Sequence, residues 1–213
     1  MHRTHLEWPF FDAAHRTLAA DVDRWATGAV QRGKTEAEFR HATSKRAIAE
    51  YIRANVDAIC RRHVASLGAA GLLRHCVPAR FGGASPRVDS RALCVVRETL
   101  AWHDALADFA FAMQGLGAGP IALAAANTDH PAAHWLAAVA EGTAIAAFAL
   151  SEPDAGSDVA AMTARAVRDG ADWMIEGCKT WISNGGIADF YCVFARTSPA
   201  ETRPDGSVTA RGI

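Results

Sequence analysis

The sequence predicts an α+β protein with a helical domain over residues 1–142 and a β domain over residues 143–213. Two observations support this division. Up to about residue 140, apolar side chains recur at steps of three and four, as on a helix that buries one face. After Gly142, short apolar runs are separated by turn dipeptides, which is typical of strands. Half of the 213 residues are hydrophobic, so the chain can bury a sizeable core.

Five helices are predicted in the N-terminal domain. The first has Asp12 as a candidate N-cap, and the third covers residues 90–103. The fourth covers the alanine-rich residues 104–127, and the fifth lies between Pro131 and Gly142. The apolar stripes that we expect to face the core are Leu18, Val22, Trp25 and Ala29 in the first helix, and Ile48, Ile52, Val56 and Ile59 in the second.

Strands are predicted in the C-terminal part of the chain. The apolar run "TAIAAFALS" covers residues 143–151. The segment "TARAVRDGADWMIEG" divides into two strands around Asp169-Gly170, a dipeptide that favours a hairpin turn. The aromatic and β-branched run "DFYCVFART" is a further strand.

Composition excludes several classes of function. A formal net charge of −1 gives no basic surface for nucleic acid or for an anionic membrane. We find no apolar run near the roughly 20 residues of a membrane-spanning helix. Five cysteines without a C-x-x-C pair argue against a zinc site or a disulfide framework, and favour a reducing, cytoplasmic location. The nine histidines show no metal-ligand spacing, so we expect no metal site.

The stretch "ALSEPDAGSDVAA", residues 149–161, places short polar side chains directly after a predicted strand. Ser151 can offer a hydroxyl to a polar ring edge. Gly156-Ser157 can bring backbone close to a phosphate, because glycine has no Cβ in the way. The alternative is a turn in which Asp154 and Ser157 bind their own backbone.

A second polar stretch, "GCKTWISNGG", follows at residues 177–186. On a strand, Trp181 and Ser183 would point to the same face, since they are two residues apart. An indole beside a hydroxyl suits a flat aromatic ligand. The alternative is a half-buried strand that ends in an Asn184-Gly185 turn.

The segments "LSEPDAGSD" and "KTWISNGG" together resemble the two flavin-binding signatures of the acyl-CoA dehydrogenase family, in the same order and at similar spacing. The segment "LGAAGLLRHCVPARFGG" is similar to the family's N-terminal helix and glycine turn. The resemblance implies that residues 143–213 form an incomplete antiparallel β-barrel-like domain, and that the family's C-terminal helical bundle is absent from this chain.

The resemblance also implies FAD as the cofactor. The backbone of Phe148 and Leu150 and the hydroxyl of Ser151 would meet the pyrimidine edge of the flavin. Ser157 would contact the pyrophosphate and lie near the acyl-CoA. The residues that would pack along the flavin are Trp181, Ile182 and Ser183, with Ser183 near its N5.

The implied reaction is the α,β-dehydrogenation of an acyl-CoA thioester, with an electron-transfer flavoprotein as acceptor and a homo-oligomer as the complete protein. The family's catalytic base is a glutamate, usually in the C-terminal helices, and no residue here matches it. We therefore expect a fragment or truncated form, inactive by itself. If another base replaces the glutamate, Glu152 and Asp158 lie nearest the predicted flavin site.

Two further functions remain open. A flavin monooxygenase or a nitroalkane-oxidising relative would share both flavin signatures and differ in its substrate. A non-catalytic scaffold would keep the fold without the chemistry, and the missing base is consistent with it.

Overall fold

A computed structural model describes residues 3–35, 45–125, 128–199, 203–206, 209–210 and 212–213. Among these residues, the five α-helices precede the four strands along the chain, as the sequence predicts. The helices are α1 (Ala13–Thr35), α2 (Lys45–Ala69), α3 (Ser90–His103), α4 (Ala105–Ala124) and α5 (Ala133–Glu141). The strands are β1 (Ala146–Ala149), β2 (Arg165–Asp169), β3 (Asp172–Glu176) and β4 (Phe190–Val193).

Helix α1 packs along α3. It has the predicted N-cap at Asp12 and the predicted apolar stripe. The carboxylate of Asp12 accepts the backbone N–H groups of Ala14 and His15 at 2.9 and 3.3 Å, which is the geometry of an N-cap. Val22 is fully buried, while Leu18 and Trp25 are half-buried against the same core. This helix therefore buries the stripe that its period predicts.

Helix α2 is buried farther along its length than the predicted stripe. Ile52 and Val56 are exposed and Ile59 is half-buried, whereas the side chain of Ile48 lies outside the described residues. The residues of α2 that enter the core are Cys60, Val64 and Leu67, in its C-terminal half. The prediction is wrong for Ile52 and Val56, because the described residues of α2 that pack into the core lie nearer its C-terminal end.

Helix α4 is the centre of the helical part and contacts α2, α3, α5 and β1. Among the described residues it is the one helix long and apolar enough to cross a membrane, contrary to the sequence-based expectation of no such segment. This is weak evidence for a membrane span, because a helix packed on several sides has the same composition. The face toward the core includes Phe111, Gln114 and Gly117.

Strands β1 and β4 form a parallel pair, with Ala146 opposite Phe190 and Ala149 opposite Val193. The expectation of an antiparallel domain is therefore wrong for these two strands. The chain between them is long enough for the crossover that parallel strands need. The Asp189 carboxylate accepts the Ile145 N–H at 2.7 Å and helps to set the start of the pair.

Strands β2 and β3 form the predicted antiparallel hairpin, with Asp169 opposite Asp172. Gly170 has a φ of 59°, which glycine adopts without strain. The hairpin is joined to the chain after β4 by the N–H of Ala166, which donates to the Arg196 carbonyl at 2.8 Å. The described strands form two separate two-stranded sheets, and they do not close a barrel.

Candidate cofactor-binding site

The free edge of β1 is the starting point of the site. The N–H of Phe194 donates to the carbonyl of Ala149, so the backbone groups of Ala147 and Ala149 point toward β4. The groups of Ala146, Phe148 and Leu150 therefore point to the opposite edge. In the described part of the chain no strand pairs with that edge.

Side chains occupy most of this edge in place of a strand. The fully buried Gln114 donates to the Ala144 carbonyl at 2.6 Å and accepts the Ala146 N–H at 2.8 Å. Asn184 donates its amide to the Ala146 carbonyl at 3.0 Å. Gln114 can reach β1 because α4 approaches it closely at Gly117, where a Cβ would lie 2.4 Å from the Ala146 Cβ.

The far end of the edge is occupied by Lys179, whose ammonium donates to the Leu150 carbonyl at 2.9 Å. Three backbone groups lie between Asn184 and Lys179: the N–H and the carbonyl of Phe148, and the N–H of Leu150. None of them has a partner among the described residues. We refer to these three groups as the open edge. They present a donor, an acceptor and a donor in that order.

Glu152 lies just beyond the open edge and is buried. Its carboxylate accepts the N–H and hydroxyl of Thr163, both at 2.7 Å, the Ala164 N–H at 2.9 Å and the Lys179 ammonium at 2.8 Å. Burial raises the pKa of this carboxyl, but these hydrogen bonds outweigh burial and bring the pKa to about 2. Glu152 is therefore a permanently ionised structural group at neutral pH, and it is unsuited to act as a base.

The polar loop after β1 contains a tight turn, in which Glu152 and Ala155 exchange backbone hydrogen bonds. Ser151 is half-buried and Ser157 is exposed. A Cβ on Gly156 would meet no atom within 4 Å, so its backbone faces open space. Asp158, the other candidate if a replacement base were needed, accepts the N–H of Ala160 at 3.1 Å and caps a short 3-10 turn.

The segment from Trp181 to Ser183 is not a strand, so the prediction that Trp181 and Ser183 share a strand face is wrong. Trp181 has a left-handed φ of 59°, which non-glycine residues rarely adopt, and is 91% exposed. Ile182 and Ser183 are half-buried. The N–H of Thr180 donates to the Ser151 carbonyl at 3.0 Å, which places this segment beside the polar loop.

The predicted turn at Asn184-Gly185 is present. Asn184 has a φ of 62°, and its carbonyl accepts the N–H of Ile187 at 2.9 Å. In the described part of the chain, no protein group binds the hydroxyls of Ser151, Ser157 or Ser183. The structure therefore places the segment from Thr180 to Asn184 beside β1 and the start of the polar loop, and the three hydroxyls have no protein partner among the described residues.

Sequence analysis missed the residues that shape the open edge: Gln114, Lys179 and the side chain of Asn184. The available signal for Gln114 was its position as a polar residue within an apolar helix. For Lys179 the signal was its place within the second polar stretch. Of the two cysteines that flank this region, Cys178 is exposed and Cys192 is half-buried.

Comparison with known proteins supports the resemblance. The model of the acyl-CoA dehydrogenase N-terminal domain matches residues 13–143, and that of the acyl-CoA dehydrogenase middle domain matches residues 147–210. A probable acyl-CoA dehydrogenase from Mycobacterium leprae is 40% identical over 136 residues, which cover 64% of this chain and 34% of that protein. A cyclohexane-1-carbonyl-CoA dehydrogenase from Geobacter metallireducens is 36% identical over 128 residues, 60% of this chain and 33% of that protein.

The same fold is present in solved structures. The glutaryl-CoA dehydrogenase of Mycobacterium smegmatis in complex with FADH2 superposes with a TM-score of 0.62 at 26% identity, over 87% of this chain and 43% of that one. Fold and sequence thus place the protein among the acyl-CoA dehydrogenase-like flavoproteins. The chain belongs to the acyl-CoA dehydrogenase family. The matching residues of this chain cover about a third of the length of these curated relatives.

Proposed function

We propose that this chain carries the flavin-binding part of an FAD-dependent acyl-CoA dehydrogenase. The observation that carries the proposal is the open edge formed by Phe148 and Leu150. Its donor–acceptor–donor order complements the carbonyl, N–H and carbonyl of the flavin's pyrimidine ring. Every other described polar group along this edge is already bound, so a ligand with that pattern would complete the edge.

The residues around the open edge fit the remaining parts of FAD. The hydroxyls of Ser151 and Ser183 are free to bind polar ring atoms, and Ser183 is assigned to the N5 side. The exposed backbone at Gly156 and the hydroxyl of Ser157 suit a pyrophosphate. Trp181, which is almost fully exposed, would gain a flat apolar neighbour. Trp181 also has a left-handed backbone, and strained backbone of this kind is concentrated at active sites and ligand-binding sites.

Bound FAD would supply hydride acceptance from the β-carbon of an acyl-CoA thioester. The chain's own residues bind and orient the cofactor, and Ser157 would also lie near the acyl-CoA. The two candidates for a replacement base, Glu152 and Asp158, are both engaged in hydrogen bonds. We therefore expect no acyl-CoA-dependent reduction of an artificial electron acceptor by this chain alone. The complete protein would pass electrons to an electron-transfer flavoprotein and form a homo-oligomer.

The test is titration of FAD with the 213-residue chain. We expect quenched flavin fluorescence and a perturbed absorbance spectrum, with loss of flavin on a desalting column. Ser183→Ala should weaken binding by about 0.5–1.5 kcal/mol, the usual net value of one hydrogen bond. Trp181→Ala should weaken it further, because the indole covers more ligand surface.

The matched control is Trp102→Ala, since Trp102 is also a largely exposed indole and lies on α3, away from the open edge. It should bind FAD like the unaltered chain. The proposal fails if FAD does not bind, or if the Trp181 and Trp102 variants bind FAD equally well. Reduction of bound flavin by a nitroalkane, and not by an acyl-CoA, in the complete protein would favour the nitroalkane-oxidising alternative.

A further inference from the structure

Lys179 and Glu152 form an ion pair that is almost completely shielded from solvent. The side chains are 13% and 3% exposed, and the ammonium lies 2.8 Å from the carboxylate. The same ammonium donates to the carbonyl of Leu150 at 2.9 Å. One side chain thus binds both the end of the β1 edge and the carboxylate that follows it.

Glu152 extends this connection to a third segment of the chain. Its second oxygen accepts the N–H and the hydroxyl of Thr163, which comes just before β2. The carboxylate therefore joins the polar loop after β1, the start of the hairpin and the segment that leads to Trp181. The first and the last of these segments carry the predicted contacts to FAD, and the start of the hairpin supports them.

Stability alone is a weak reason for burying this pair. Removing two charges from water is costly, and well-packed apolar residues often stabilise a protein as much or more. A charged pair does fix local geometry, since each of its hydrogen bonds sets the position of one atom relative to another. The bonded atoms here are the carbonyl of Leu150 and the backbone of Thr163, on either side of the polar loop.

We propose that Lys179 and Glu152 are positioning residues that set where the open edge ends and hold the Trp181 segment beside it. By binding the Leu150 carbonyl, Lys179 leaves the Leu150 N–H as the last free donor, so the edge offers three groups and not four. The N–H of the adjacent Thr180 donates to the Ser151 carbonyl at 3.0 Å and holds the two segments together. This inference rests on the proposed function, because it concerns the groups assigned to the flavin.

The test compares Lys179→Met with Arg97→Met in the 213-residue chain. Arg97 also forms an ion pair, at 2.9 Å from Asp108, but on the helical part of the molecule. Lys179→Met should raise the dissociation constant for FAD at least about tenfold, the loss expected for a hydrogen bond to a charged group. It should also speed amide exchange at Thr180 and Ala164 in the FAD-free chain. Arg97→Met should change neither quantity.

A milder variant covers the case in which Lys179→Met does not fold. Thr163→Val removes only the hydroxyl that binds Glu152, and Thr197→Val is its control, since the Thr197 hydroxyl binds Gly212 instead. Thr163→Val should weaken FAD binding several-fold and speed exchange at Ala164. Thr197→Val should leave both unchanged.

The two proposals fail in different ways. If the unaltered chain does not bind FAD, the proposed function is wrong, and the exchange data alone decide the positioning role. Unchanged exchange at Thr180 and Ala164 in folded Lys179→Met overturns the positioning role. So does an FAD affinity within twofold of the unaltered chain, or an equal loss of affinity in Arg97→Met.

Discussion

At the scale of single residues, Glu152 shows how the surroundings of a carboxylate change its chemistry. Its pKa is about 2, against an ordinary value of 4.5, because the hydrogen bonds of Lys179, Thr163 and Ala164 outweigh burial. Folding therefore favours the ionised form. The contribution of ionised Glu152 to the free energy of unfolding is complete at pH values above its unfolded-state pKa. It is lost as the pH falls through its folded-state pKa.

We predict that the free energy of unfolding falls between pH 4.5 and about pH 2 partly because Glu152 takes up a proton. Urea unfolding across this range should show a weaker pH dependence for Glu152→Gln than for the unaltered chain. The comparison is needed because Asp23 and Asp104 also have lowered pKa values, Asp23 mainly through its hydrogen bond with His103 and Asp104 mainly through the His63 ring nitrogen 3.3 Å away. Identical pH profiles for the two chains would contradict the assignment.

At the scale of elements, the approach of α4 to β1 decides whether the edge of β1 can be capped by a side chain. Gly117 leaves room for Ala146, and the next turn toward the N-terminus of the helix presents Gln114 to the strand. An amide side chain is suited to this position, because it offers one donor and one acceptor to neighbouring backbone groups.

Gly117→Ala is predicted to lower the free energy of unfolding by about 1–3 kcal/mol, the usual effect of overpacking a core. The added methyl would lie 2.4 Å from the Ala146 Cβ and would push α4 away from β1. Thermal and urea unfolding measure the effect.

Gly115→Ala is the matched control on the same helix. Its Cβ would lie 3.6 Å from the Cys76 sulfur, an ordinary contact. This variant should be neutral or stabilise the chain by up to about 1 kcal/mol, because alanine favours helix over glycine. Equal effects of the two substitutions would show that close packing at Gly117 is unimportant.

At the scale of the whole molecule, the β2–β3 hairpin leaves apolar side chains exposed on both faces. Val167 and Met174 are cross-strand neighbours and are 61% and 60% exposed, while Trp173 and Ile175 lie on the opposite face. In the described part of the chain, no strand pairs with the outer edge of β3. Exposed apolar strands with an open edge promote association between chains.

We predict that this chain associates in a concentration-dependent manner, measured by sedimentation velocity. The double substitution Val167→Lys and Met174→Lys should shift the distribution toward monomer, because charge opposes pairing of apolar faces. Leu123→Lys is the control, since Leu123 is 90% exposed at the end of α4. A chain that stays monomeric at every concentration would contradict the prediction.

Local patterns in the sequence predicted much of this fold. The helical period located α1 and α3, and the Asp169-Gly170 dipeptide located the hairpin, because these signals depend only on neighbouring residues. The two polar stretches identified the region of the candidate site. They could not predict the conformation of Trp181, since the same residues are compatible with a strand or with a turn.

What the sequence by itself determined was the type and order of the elements, the resemblance to a family and the residues most suited to a flavin. The tertiary structure alone decided that β1 pairs with β4 in parallel. It also decided that α2 buries Val64 and Leu67 and leaves Ile52 exposed. The two side chains at the ends of the β1 edge, Gln114 and Lys179, were likewise identified only by the folded structure. The physical reason is distance along the chain. Periodicity and turn chemistry act between neighbours, whereas strand pairing and edge capping join residues that only the folded core brings together.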